Sequence, residues 1–250
     1  QRRRSGAMTV GFVGYTNAGK SSLFQHLSGK TVLVEDQLFS TLETTVGRME
    51  KSPRILLADT IGFIDNIPNA TLAAFKSTIA EAIDADLTLI LLDTSDSLPE
   101  IQRKLETTRR EVLERQEIEP DLLEEQRSPH VVLTKIDKVS DQQHQAVVNL
   151  VEELGFENPV AVSSITGEGI DALQQFIRER LFGQPITVHV LPPTLASPDA
   201  SERIVSAFYE DGMVEEDQRS EDGIMTLKVW MTASKQAQLV ARWKGRIDIK

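Results

Sequence analysis

Short apolar runs that alternate with helical patterns constrain this 250-residue chain more than any other feature of its sequence. The runs are continuously hydrophobic, which is typical of strands buried on both faces of a parallel sheet. The sequence therefore predicts an α/β fold with a doubly wound, mainly parallel sheet. The predicted strands cover 9–13, 54–58, 87–92, 130–134 and 159–162, and the predicted helices cover 20–27, 72–83, 99–116, 142–154 and 170–181.

A second, smaller α+β domain is predicted after Gly183-Gln184-Pro185, because Gly followed by Pro is a stop signal for the preceding helix. Trp230 and Trp243 both fall in it and are expected in its core. The predicted domains are a basic arm at 1–8, a nucleotide-binding domain at 9–183 and a C-terminal domain at 184–250. Within the last, strands are predicted at 186–191 and 225–231, helices at 201–209 and 234–244, and a charged turn before the second strand.

The helix predicted over 99–116 carries one buried stripe at helical spacing, formed by Ile101, Leu105, Thr108 and Val112. The segment after it, 117–127, is acidic and contains a proline. This composition predicts an excursion from the fold, either a solvated insertion or a loop that binds a partner.

Composition and charge exclude several classes of protein. No apolar stretch approaches the ~18 residues of a membrane span, and cysteine is absent, so disulfides and thiolate zinc sites are ruled out. The net charge of −11 argues against broad adhesion to nucleic acid. The four histidines lack H-E-x-x-H spacing and no G-x-S-x-G is present, which excludes the common zinc and serine hydrolases. We expect a cytoplasmic monomer without membrane or DNA partners.

A phosphate-binding loop is predicted at 14–21, where Gly-Tyr-Thr-Asn-Ala-Gly-Lys-Ser matches G-x-x-x-x-G-K-[ST] between a strand and a helix. Gly14 and Gly19 let backbone N–H groups converge on phosphate oxygens, aided by the helix N-terminus. Lys20 would neutralise the β and γ phosphates, and the Ser21 hydroxyl would meet Mg²⁺.

Two further motifs end strands at the same sheet edge. Asp59-Thr60-Ile61-Gly62 supplies a carboxylate that can hold the metal through water and a Gly62 N–H that can meet the γ-phosphate. Thr134-Lys135-Ile136-Asp137 supplies a carboxylate that can accept hydrogen bonds from N1–H and the exocyclic amine of guanine. Adenine lacks that donor pair, so Asp137 predicts guanine specificity.

Ser163 and Ser164 follow the next predicted strand, in a loop expected to face the base. Gly167 and Gly169 in that loop are interpreted as turn residues rather than ligands. The predicted nucleotide-binding residues are Gly14, Asn17, Ala18, Gly19, Lys20, Ser21, Ser22, Asp59, Thr134, Lys135, Asp137, Ser163, Ser164 and Ile165.

In this order these motifs resemble those of translation-factor-class GTPases. Three segments have sequences similar to those of the HflX family: 14–24, Asp-Gln-Leu-Phe-Ser-Thr-Leu at 36–42 and Asp-Thr-Ile-Gly-Phe-Ile at 59–64. The resemblance implies a GTPase that binds the large ribosomal subunit and is preceded by an N-terminal domain and a helical linker. Since the chain begins with Gln1, we expect a fragment whose first residues are either the end of that linker or a solvated arm.

The resemblance also implies a switch threonine at Thr41, which reaches Mg²⁺ when GTP is bound and is counted with Lys20 and Gly62 as catalytic. Relatives continue with Asp-Pro-Thr-Thr-Arg, whereas this chain has Glu43-Thr44-Thr45-Val46-Gly47, so Thr44 and Thr45 are alternatives. Relatives with asparagine at position 17 use it to hold K⁺, and a loop-bracing or helix-cap role is the alternative here. The predicted metals are thus Mg²⁺ at Ser21, Thr41 and Asp59, and K⁺ near Asn17.

Ras-type GTPases orient the attacking water with a glutamine where this chain has Phe63, so slow hydrolysis is expected. Loss of the γ-phosphate should release the loops of Thr41 and Gly62, which makes the chain a switch. Two other hypotheses stay open: an Obg-like ATPase, which Asp137 disfavours, and a nucleotide-holding interaction module with negligible turnover.

Overall fold

The computed structural model describes residues 7–29, 45–50, 54–59, 82–118, 129–192 and 200–250, and every statement below refers to them. The described residues form two compact units. The larger unit lies within Met8–Met49 and Leu56–Ile177, and the smaller one within Arg178–Lys250 and the described part of Glu50–Ile55.

A six-stranded sheet forms the centre of the larger unit. Its strands are β1 (Met8–Val13), β2 (Thr45–Glu50), β3 (Ile55–Asp59), β4 (Leu87–Asp93), β5 (His130–Thr134) and β6 (Val160–Ala161). They lie in the order β2-β3-β1-β4-β5-β6. The β1–β4, β4–β5 and β5–β6 pairs are parallel, so the carboxyl ends of these four strands meet at one edge.

The α-helices whose bounds the structure describes up to residue 182 are α1 (Lys20–Ser28), α2 (Leu98–Ile118), α3 (Asp141–Glu153) and α4 (Ile170–Phe182). The stripe predicted on α2 is buried, with Ile101 and Leu105 in the same apolar cluster as Val147 and Val151 of α3. None of the helices described here has the length and apolar character that crossing a membrane requires.

The sequence predicts the described parts of this unit well, because the apolar runs and the strands coincide. The mainly parallel α/β sheet is confirmed. Strand β2 was not predicted, since Thr45–Glu50 has no apolar run and buries only Gly47. A Cβ on Gly47 would lie 2.6 Å from Cζ of Phe24. The strand can therefore pack this closely against Phe24 only because Gly47 has no side chain. Most of the helix predicted at 72–83, and 119–127 of the acidic excursion, lie outside the described residues.

The elements of the smaller unit are β7 (Ile186–Val190), α5 (Ala200–Asp211), β8 (Met213–Arg219), β9 (Met225–Trp230), α6 (Ala233–Arg242) and β10 (Ile247–Ile249). Its strands form an antiparallel sheet in the order β10-β7-β9-β8. This β-α-β-β-α-β sequence is the ferredoxin-like arrangement, and it confirms the smaller α+β fold. Trp230 is buried and Trp243 packs against the cluster formed by Val188, Phe208 and their neighbours, as predicted.

The charged turn predicted before the second strand is wrong, because β8 occupies Met213–Arg219. Glu215, Glu216 and Asp217 are exposed on it, and β8 lies at the edge of the described sheet, where it is hydrogen-bonded to β9. Charged edge strands resist pairing with other chains but give no hydrophobic signal in the sequence. Strand β10 was also missed, since Ile247–Ile249 has only three residues.

Candidate nucleotide-binding site

The loop between β1 and α1 has the backbone that its glycines predict. Gly14 has φ 149°, and a Cβ there would lie 2.6 Å from the carbonyl oxygen of Leu91 in β4. Gly19 is the N-cap of α1 with a left-handed φ of 83°. The N–H of Ala18 donates to the carbonyl of Tyr15 at 3.2 Å and closes the turn. The loop therefore curves at the N-terminus of α1, where backbone N–H groups can bind an anion.

Lys20 is buried at the first position of α1, with 6% of its surface exposed. Its ammonium donates to the carbonyl oxygens of Gly14 at 3.1 Å and of Tyr15 at 2.7 Å. Burial lowers the pKa of Lys20 to about 8, although the nearby charge of Asp59 acts in the opposite direction. The ammonium of Lys20 is desolvated and held by neutral carbonyl oxygens of the loop. A phosphate group is charged and would bind it more strongly, so it could replace these carbonyls.

Asp59 is the last residue of β3 and has 7% of its surface exposed, and Ser21 follows Lys20 in α1. Hydroxyl and carboxylate oxygens are the donors that Mg²⁺ prefers, and Mg²⁺ sites in nucleotide-binding proteins use few protein ligands. Ser21 and Asp59 therefore fit a magnesium ion. No group of three or more His, Asp or Glu side chains placed to hold a metal occurs in the part of the chain that the structure describes.

Thr134, at the end of β5, connects the phosphate loop to the sheet. Its buried hydroxyl lies 2.9 Å from the carbonyl oxygen of Ala18 and 3.0 Å from that of Leu92. A Cβ on Gly19 would lie 3.6 Å from Thr134, which is ordinary contact. Thr134 thus brings the loop at 14–21 and the segment at 134–137 together.

Asp137 lies in a 3₁₀ helix (Ile136–Lys138), and its carboxylate is held by a residue of the loop after β6. The Ser163 hydroxyl donates to Oδ1 of Asp137 at 2.5 Å. That hydroxyl oxygen accepts from the N–H groups of Ile165 at 3.2 Å and Thr166 at 3.1 Å. Ser163 is fully buried, and its hydroxyl holds the Asp137 carboxylate in one orientation.

The remaining predicted site residues divide into two groups. Asn17 is exposed with a left-handed φ of 64°, Ser22 lies in α1, and Ser164 and Ile165 lie in the loop after β6, where Ile165 is 76% exposed. The helix-cap alternative for Asn17 is wrong, because Gly19 is the N-cap of α1 and no side chain caps it. Thr41 and its alternative Thr44, Gly62 and Phe63 lie outside the described residues.

Sequence reasoning missed Asp93, which is the last residue of β4, and Thr94, which follows it at the same edge. The ammonium of Lys135 donates to Oδ2 of Asp93, and the Thr94 hydroxyl donates to the carbonyl of Thr134 at 2.8 Å. The sequence signal that could have identified them is a pair of polar residues directly after the apolar run at 87–92.

Two families match the chain. Residues 9–135, just over half of it, match the family described as 50S ribosome-binding GTPase, and residues 149–248 match the HflX C-terminal domain. The residues from the phosphate loop to Lys135 fall within the first match, and Ser163 within the second.

Curated relatives are similar over most of the chain. The GTPase HflX of Escherichia coli (strain K12) is 36% identical over 249 residues, which are 99% of this chain and 54% of that protein. The GTPase HflX of Methanocaldococcus jannaschii is 34% identical over 210 residues, 84% of this chain and 48% of that protein. The chain spans about half the length of the curated relatives it matches.

Among solved structures, a GTP-binding protein from the hyperthermophilic archaeon Sulfolobus solfataricus in complex with GDP is similar, with a TM-score of 0.53 and 26% identity. The likeness covers 70% of this chain and 52% of that one. From these matches and from the geometry of the loop at 14–21, the chain belongs to the 50S ribosome-binding GTPase family and, within it, to the HflX proteins.

Proposed function

We propose that the chain binds guanine nucleotides and hydrolyses GTP to GDP and phosphate, as a slow conformational switch acting on the large ribosomal subunit. The contact of the Thr134 hydroxyl with Ala18 carries this proposal, because it joins the phosphate loop to the segment that holds Asp137. One ligand with both a phosphate tail and a guanine base can span the two. We assign nucleotide binding to a domain at 9–183 and place the C-terminal domain at 184–250.

The phosphate tail would lie on the amides of the loop, with the Lys20 ammonium on the β and γ phosphates. Mg²⁺, held by Ser21, Asp59 and Thr41, would neutralise the same oxygens. Asp137 would read guanine, with Ser164 and Ile165 beside the base. The exposed Asn17 supports a K⁺ ion near the phosphates, where an added cation would stabilise negative charge.

Lys20, Thr41 and the Gly62 N–H would act on the γ-phosphate during hydrolysis. Phenylalanine at position 63 cannot orient water, so we expect turnover of about 10⁻⁴ to 10⁻³ s⁻¹ without a partner. Departure of the γ-phosphate would remove the contacts of Thr41 and Gly62 together, which is the basis of the switch.

The ribosomal partner is supported by the description of the family that matches 9–135. The net charge of −11 restricts any RNA contact to local patches. A ribosomal partner implies action in the cytoplasm, and we expect a monomer.

Calorimetric titration with GDP, a non-hydrolysable GTP analogue and ADP tests the proposal. We expect guanine nucleotides to bind at least about 100-fold more tightly than ADP, because ADP leaves Asp137 without its donor pair. Equal affinities would indicate the ATPase alternative instead. Single-turnover hydrolysis separates an enzyme from a nucleotide-holding module, and equal rates in KCl and NaCl would remove the K⁺ site.

The low pKa of Lys20 predicts a pH dependence of nucleotide binding. In the free protein this pKa is about 8, and bound phosphates favour the charged form, so the bound pKa is higher. Binding therefore takes up a proton above pH 8, and affinity for GDP should fall about tenfold between pH 7 and pH 9.

Two measurements check this coupling. Titration at pH 8.5 in two buffers of different ionisation enthalpy should show proton uptake by the wild-type protein. Lys20→Arg keeps its charge throughout this range, so its affinity for GDP should vary little between pH 7 and pH 9. A pH slope in the arginine variant equal to that of the wild type would assign the titration to another group.

A further inference from the structure

We propose that Asp93 is a positioning residue of the guanine site, because its carboxylate holds the Lys135 ammonium and so fixes that side chain beside the segment that carries Asp137. This inference rests on the proposed function. It concerns a residue that neither the phosphate-loop motif nor the Asp137 motif contains.

The sheet register brings Asp93 and Lys135 together. Asp93 is the last residue of β4 and is the register partner of Thr134, the last residue of β5. Lys135 follows Thr134 directly, and its ammonium donates to Oδ2 of Asp93 at 2.5 Å. The two side chains are only 12% and 25% exposed, so this ion pair is shielded from solvent more than a typical surface pair.

Ser95 fixes the other oxygen of the same carboxylate. Its N–H donates to Oδ1 of Asp93 at 2.9 Å, and its hydroxyl donates to the same oxygen at 2.6 Å. Burial raises the pKa of Asp93, but the hydrogen bonds from Lys135 and Ser95 outweigh it and leave that pKa below its usual value. The carboxylate is therefore ionised at neutral pH and held by a different partner at each oxygen.

The backbone around the pair is braced as well. The Thr94 N–H and hydroxyl donate to the carbonyl of Thr134 at 3.1 and 2.8 Å, and the Gln143 side chain donates to the carbonyl of Thr94 at 3.1 Å. Lys135 has a left-handed φ of 58°, which is uncommon for a residue with a Cβ. The Asp93 pair is the contact that fixes the end of the Lys135 side chain on this backbone.

The consequence is pre-organisation of Lys135. An unrestrained lysine populates many rotamers and loses that freedom when a ligand packs against its stem. A lysine whose ammonium is already bound has lost much of this freedom before the nucleotide arrives, so less affinity is lost on binding. Asp93 would thus act on guanine affinity through Lys135 without touching the nucleotide.

Asp93→Asn tests this with little change of shape. Its carbonyl oxygen can still accept from Ser95, whereas an NH₂ group replaces the oxygen that accepts from Lys135. We expect GDP affinity, measured by calorimetry, to fall about tenfold. In a Lys135→Met background the same substitution should change GDP affinity less than about twofold, because the side chain that it positions is gone.

Asp96→Asn is the matched control. The Asp96 carboxylate also forms an ion pair, with its Oδ2 2.7 Å from the Lys104 ammonium. The side chains of Asp96 and Lys104 are 25% and 18% exposed. The GDP affinity of the Asp96→Asn variant should stay within about twofold of that of the wild type. An equal loss in Asp93→Asn with and without Lys135→Met, or no loss in Asp93→Asn while the wild type binds GDP, would overturn the positioning role alone. Failure of the wild type to bind GDP would overturn the proposed function and this inference with it.

Discussion

Asp137→Asn is expected to lower GDP affinity by about 100- to 1000-fold and to make xanthosine diphosphate the better ligand. Guanine presents two donors, at N1 and at the exocyclic amine, and under the proposed function the Asp137 carboxylate would accept from both. The amide of asparagine replaces one acceptor with a donor, which then faces a guanine donor. Xanthine carries a carbonyl in place of that amine, so the amide and xanthine are complementary.

The structure supports a change of specificity rather than a collapse of the site. The Ser163 hydroxyl donates to Oδ1 of Asp137 at 2.5 Å, and the carbonyl oxygen of an asparagine can accept the same bond. Ser163 is itself held by the N–H groups of Ile165 and Thr166, so the orienting group stays in place.

Parallel calorimetric titrations with GDP and xanthosine diphosphate measure this exchange. Asp141→Asn is the control, since Asp141 lies in the first turn of α3, is exposed and undergoes the same change of charge. The control should bind GDP like the wild type. If Asp137→Asn also kept its preference for GDP, position 137 would not read the base.

The positions of the predicted site residues follow from two local signals, an apolar run and the polar residues that end it. Lys20 follows β1 through a glycine loop, Asp59 ends β3, and Thr134 ends β5. The parallel pairing of β1, β4 and β5 places the residues that follow β1 and end β5 at one edge, and the charge of Asp59 acts on Lys20. The order of the motifs along the chain therefore predicts that they cluster in space. Here that prediction rests on strand direction, which βαβ connections largely determine.

Contacts between strands at residue level could not be predicted. The Asp93 pair depends on the register that sets Asp93 opposite Thr134, and a shift of one residue would separate the two charges. The orientation of Asp137 depends on the hydrogen bond from the buried Ser163, a contact between two loops that the order of residues along the chain does not reveal. Strand β8 illustrates a third case, since edge strands with charged residues resemble turns in sequence.

Gly169→Ala is expected to destabilise the protein far more than Gly167→Ala, although the two glycines share one loop. Both have a left-handed φ, 73° at Gly169 and 82° at Gly167, so alanine costs about 1–2 kcal/mol at either position. Among the described residues, a Cβ at Gly167 would meet no atom within 4 Å, whereas one at Gly169 would lie 2.0 Å from the carbonyl oxygen of Ala161 in β6. That oxygen is backbone, so the loop or the strand must move.

The movement would reach Asp137, because the same loop holds Ser163, whose hydroxyl donates to Asp137. The Ser163 N–H donates to the carbonyl of Glu168 at 2.9 Å, and the Gly167 N–H donates to the carbonyl of Ser163 at 2.9 Å. We expect urea unfolding to show a loss of about 4 kcal/mol or more for Gly169→Ala, against about 1–2 kcal/mol for Gly167→Ala. GDP affinity of the folded Gly169→Ala protein should also fall, since a displaced Ser163 no longer orients Asp137. Equal losses of stability in the two variants would mean that β6 and this loop are not packed as closely as the structure shows.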